Sequence, residues 1–72
     1  MTTQDKLFFC KTHGISLTYI AQQAEIAPAT LTKWMRGEKG ITEKNHRHID
    51  IALLNFAKEI WQQLGDNNDR NI

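Results

Sequence analysis

Between residues 30 and 39 the chain sets hydroxyls and cations at close intervals: Thr30, Thr32, Lys33, Arg36 and Lys39. Threonine hydroxyls donate and accept hydrogen bonds. Ammonium and guanidinium groups only donate, and a guanidinium can match a phosphate or a base edge with two parallel bonds. The chemistry open to such a group is recognition of a polyanion rather than bond breaking. Charge is segregated along the same stretch. Residues 33–48 hold Lys33, Arg36, Lys39, Lys44 and Arg47 against Glu38 and Glu43, a surplus of three. The rest of the chain holds Lys6, Lys11, Lys58 and Arg70 against Asp5, Glu25, Asp50, Glu59, Asp66 and Asp69, a deficit of two. A net charge of +1 therefore conceals a local basic footprint of the kind that attracts phosphate.

Other chemistry finds little support. No G-x-x-x-x-G-K run, paired catalytic carboxylates or Ser-His-Asp ordering occurs, and 72 residues leave little room for a pocket of the usual enzyme size. The expectation is a non-enzyme without a cofactor. His46 and His48 are two residues apart, so on a helix they point away from each other and make a poor metal pair. His46 and Arg47 are expected to be solvated or to face phosphate. One cysteine, Cys10, cannot form an internal disulfide, and after Leu7, Phe8 and Phe9 it reads as a small buried hydrophobe. No stretch approaches the roughly 18–20 apolar residues of a membrane span. The opening MTTQDKLFF lacks the marks of a signal peptide, so a cytoplasmic location without a membrane partner is expected.

The elements that must position these residues are helices separated by short turns. Thr2 or Thr3 can cap a first helix, with Asp5 in its opening turn and His13-Gly14 at its close. Ser16 caps a second, Leu17–Ala24, whose inner face is Ile20, Ala21 and Ala24. Glu25-Ile26 breaks the chain. Pro28 suits the first turn of a third helix running to Arg36, with Leu31 and Trp34 inside and Gly37 as its stop. Thr42 caps a long segment on which Ile49, Leu53, Phe56, Ile60 and Leu64 form one apolar stripe, and Leu54, Ala57 and Trp61 a second. This segment is one helix of about 22 residues and about 33 Å, or two helices if it breaks near Asp50. At helical core spacing Trp34 and Trp61 are expected in the core. The expected fold is thus all-α: a compact bundle of four to five helices with a long C-terminal helix. It spans residues 1–65 as one domain, followed by a flexible polar tail, 66–72.

The stretch Ser16-Leu17-Thr18-Tyr19-Ile20-Ala21-Gln22-Gln23-Ala24, with Ile26-Ala27-Pro28-Ala29-Thr30-Leu31-Thr32-Lys33-Trp34-Met35-Arg36-Gly37, resembles the helix-turn-helix of Cro/repressor-type regulators from phages and bacteria. The likeness is closest in Ile20-Ala21, in Thr30-Leu31 and in the Trp34-x-x-Gly37 close. It covers about 22 residues well and about 50 loosely. The resemblance implies a small DNA-binding transcriptional regulator whose second motif helix, residues 28–36, enters the major groove. It implies Ala27, Pro28 and Ala29 at the groove-facing tip, Thr32 and Lys33 on the outward face, and Arg36 near backbone phosphate. Thr30 and Lys39 join the DNA-facing set, and Ser16 and Thr18 are placed to donate to phosphate. Two features depart from the pattern. Glu25 stands where the family usually has glycine. The tip Ala27-Pro28-Ala29 lacks donors and cannot make the bidentate base contacts worth about 1–3 kcal/mol each.

Double-stranded DNA is accordingly the leading expected partner. So small a module suits a homodimer on a two-fold site, with Ile60, Trp61 and Leu64 as the expected interface unless that stripe merely closes the core. The alternative is an antirepressor or modulator that docks on a partner repressor protein through its apolar surface.

Overall fold

The computed structural model describes residues 1–65. Four α-helices follow one another: α1 (Thr3–Thr12), α2 (Leu17–Ala24), α3 (Pro28–Met35) and α4 (Glu43–Ile60). A single π-helical turn, Trp61–Gly65, continues α4. The fold is all-helical with a long C-terminal helix, as expected. The expected tail, 66–72, lies outside the described residues.

Local chemistry explains where the helices begin. The Thr2 hydroxyl accepts from the Asp5 N–H while the Asp5 carboxylate accepts from the Thr2 N–H, a reciprocal capping box. The Ser16 and Thr42 side chains cap α2 and α4 in the same sense, accepting from Tyr19 and Asn45. α3 opens instead on Pro28, whose preset φ suits the first turn.

The first three helices also share one way of ending. A left-handed residue follows each: Gly14 at φ 82°, Glu25 at φ 61° and Gly37 at φ 76°. The N–H one residue further on reaches back five positions, from Ile15 to Cys10, Ile26 to Ala21 and Glu38 to Lys33. These are Schellman closures, which satisfy carbonyls that a helix end otherwise orphans. α3 therefore ends at Met35 with Arg36 as its C-cap, one residue short of the expected end.

The core takes residues from every α-helix: Leu7 and Cys10 from α1, Ile20, Ala21 and Ala24 from α2, Leu31 from α3, and Ile49, Ala52 and Leu53 from α4. Leu7, Ile20, Leu31 and Ile49 are fully buried. Each stabilises the fold by about 1.5–3 kcal/mol relative to an exposed side chain. Cys10 is buried as expected, and burial pushes its thiol above the ordinary value. Thr3 is the buried polar residue among them, and its hydroxyl donates to the Asp50 carboxylate. That bond employs Asp50 across the α1–α4 seam. It leaves α4 continuous through the position where a break was conceivable.

One expectation about the core fails and one holds in part. Trp61 is 62% exposed, because α1 and α2 cover α4 only as far as Phe56 and the helix then runs beyond them. Trp34 is only half-buried, since it lies near the end of α3 at the rim of the core.

Candidate nucleic-acid interface

α2 and α3 pack on each other across the three-residue turn Glu25-Ile26-Ala27. Ala21, which has no accessible surface, offers the small side chain that a close crossing of two helices requires. Leu31 plugs α3 into the core from the other side of the joint, and Ile26 packs against the edge of the core. A short helix is thus held by its inner face and presents the opposite face to solvent, the arrangement of a helix-turn-helix pair.

Two further contacts fix the far end of α3, and neither was anticipated from sequence. The Gln4 side-chain amide, on α1, donates to the Trp34 carbonyl at 3.2 Å, satisfying one of the last carbonyls of α3. The Trp34 indole meets the His46 ring of α4 edge-on, with centroids 5.6 Å apart and planes at 84°. His46 Nδ1 also lies 4.0 Å from the Asp50 carboxylate. His46 is therefore half-buried between α3 and Asp50, with its side chain still 42% exposed. Its role is to brace α3 against α4. Arg47 does face solvent, where it pairs with Glu43 one turn earlier at 3.2 Å.

The proposed contact residues fall into four groups. Ser16 and Thr18 are exposed at the opening of α2. The Ser16 oxygen accepts the Tyr19 N–H, which leaves its own O–H able to donate outward. Ala27, Pro28 and Ala29 are exposed at the opening of α3. No side chain caps that opening, in contrast to the other three α-helices. Lys33, Arg36 and Lys39 are exposed at and beyond its close. Thr30 and Thr32 differ from expectation. Both are half-buried, flanking Leu31 at the edge of the joint instead of standing free on the outer face.

Charge at the site is moderated from within. Arg36 lies 3.7 Å from Glu38, both side chains being more than half exposed. So open a pair is worth about 0–1 kcal/mol, and a phosphate can displace the carboxylate at little cost. The motif Arg36-Gly37-Glu38 carried that signal in the sequence, because the left-handed glycine folds residue 38 back on the helix end.

Ile60, Trp61 and Leu64 lie away from α3, on the part of α4 and its π turn that leaves the globule. Among the described residues no cluster of His, Cys, Asp and Glu could hold a metal ion. Among them, too, no helix is long and apolar enough to cross a membrane. No family model matches the chain, and no curated protein or solved structure is significantly similar to it.

Proposed function

We propose that this chain is a small DNA-binding transcriptional regulator that lays α3 in the major groove. The observation that carries the reading is the exposed face of α3, where Pro28, Ala29 and Lys33 stand in solvent with Arg36 and Lys39 at and beyond the helix end. A major groove about 12 Å wide admits a single helix held in this way. The uncapped opening of α3 supports the same reading on a small scale: Pro28 has no N–H and those of Thr30 and Leu31 bond to the Ala27 carbonyl, which leaves the Ala29 N–H for a phosphate oxygen. Lys33, Arg36 and Lys39 then hold phosphate, base selection falls on the rims of Thr30 and Thr32, and Ala27 and Ala29 contribute methyl contacts to thymine. Affinity for phosphate outweighs discrimination between bases.

A second reading, docking on a partner regulator, is favoured by one observation. The exposed tip Ala27-Pro28-Ala29 presents only apolar side chains, which suits a protein surface as well as a groove.

A salt titration of binding to duplex DNA separates the two. Three phosphate contacts give a slope of roughly −2.7 in log K against log salt, at about 0.9 per contact. Lys33→Ala and Arg36→Ala should each flatten that slope by about 0.9 and weaken binding to all sequences alike. Wild-type binding that is negligible at low salt, or indifferent to both substitutions, refutes the DNA reading.

A further inference from the structure

One apolar surface is left over once the core and the α3 face are accounted for. Phe8 and Phe9 stand on the outer side of α1, both more than half exposed. Beside them a groove of about 220 Å³ runs between α1 and α4, lined by Met1, Phe9, Ile15, Leu53, Phe56 and Ile60. Its volume falls below the roughly 300–1,000 Å³ of small-molecule sites and suits one inserted side chain. Past the groove the same helix continues with Trp61 and Leu64, which are 62% and 82% exposed. Trp61 follows Ala57 by four residues and its N–H bonds the Ala57 carbonyl, so the groove wall and the projecting end are continuous at Trp61.

The area decides what can cover it. A whole aromatic side chain offers about 150–250 Å², so Phe8, Phe9 and Trp61 at their exposures leave roughly 350 Å² bare. Met1, Ile60 and Leu64 raise the apolar total to roughly 600 Å², at the upper limit for a lone soluble domain. Homodimer interfaces are about 65% apolar, so this patch corresponds to about 900 Å² per copy, the size of a standard stable interface.

We infer that the occupant is a second copy of this chain. The projecting end of α4 from one protomer seats Trp61 in the α1–α4 groove of its partner and lays Leu64 along the groove's rim, and the exchange is reciprocal. A two-fold axis lets one surface serve both as ligand and as site. The anchors Trp61 and Leu64 are three residues apart, one of the spacings at which a helix lays side chains in a groove. No α3 residue lines the groove, so both α3 faces stay open in the pair. The inference names the partner implied by the DNA reading but rests on a different surface.

Sedimentation equilibrium without DNA tests it. The wild type should approach twice the 8.3 kDa of the chain as its concentration rises toward about 1 mM. Trp61→Ser and Phe9→Ser should each weaken association at least tenfold while leaving the circular dichroism spectrum unchanged, because both side chains are already largely exposed. A wild type that stays at 8.3 kDa throughout overturns the dimer, including the case in which it pairs only with another protein. A dimer weakened by Trp61→Ser but indifferent to Phe9→Ser overturns the groove as the docking place. Both results come from mass alone, so they leave the DNA reading standing or falling on its salt titration.

Discussion

At Glu25 the chain passes through a left-handed conformation, φ 61°, that costs a non-glycine residue about 1–2 kcal/mol. Gly14 and Gly37 do the same work in the two sister closures without that cost. Glu25→Gly should therefore raise stability by about 0.5–1 kcal/mol after the added chain entropy of glycine, or about 3–6 °C in thermal melts. Glu25→Gln removes the charge but keeps the side chain, and should show no such gain. A second residue prediction concerns acid. The Thr2 N–H, and then the Thr2 hydroxyl, hold the Asp5 carboxyl below its ordinary 3.8. Its contribution is complete above the ordinary value and is lost as pH falls through the lowered one. The gap in melting temperature between wild type and Asp5→Asn should stay constant above about pH 5 and close as acid is added.

Helix starts and stops were legible in the sequence because single residues specify them. Ser16, Pro28 and Thr42 open their helices where their side-chain chemistry requires, and Gly14 and Gly37 close theirs. The facing of α1 was harder to read. Four consecutive apolar residues, Leu7 to Cys10, cannot share one face of a helix that turns about 100° per residue. Thr3, Leu7 and Cys10 form the buried stripe, and Phe8 and Phe9 are turned out. At the site, the exposure of Lys33, Arg36 and Ala27–Ala29 was also legible. The bracing of α3 was not, since Gln4 and Trp34 meet across 30 residues with no local pattern to announce it. These contacts set the next expectation. Leu31→Ala removes the only fully buried side chain of α3 and should cost about 2–5 kcal/mol, a large part of the stability of so small a domain. His46→Ala removes only the ring contact with Trp34 and the approach to Asp50, worth about 0.5–1.5 kcal/mol. It should loosen α3 and, on the proposed DNA reading, lower DNA affinity up to tenfold with the salt slope unchanged. A flattened slope would instead mean that His46 touches phosphate.

On the scale of the whole molecule, the long helix divides the labour between two surfaces. As far as Phe56 it is core; beyond, it carries an apolar stripe out of the globule. Helical period marked that stripe but could not say where the covering helices end, because their reach depends on how α1 and α2 cross α4. A single helix in a major groove reads few base pairs, so on the proposed DNA reading the separation of the two surfaces has a consequence for binding. If pairing through the α4 end joins two DNA-reading faces, the second contact becomes intramolecular, and linkage of this kind adds about 10²–10⁴ in affinity without a new contact. Trp61→Ser leaves every charge and every α3 residue in place. It should nevertheless weaken binding to a two-fold DNA site by about 10²-fold or more, with binding to a single half-site nearly unchanged. Fluorescence anisotropy on the two duplexes makes the comparison directly. Equal loss on both duplexes would place Trp61 at the DNA itself, and no loss on either would mean that each protomer binds alone.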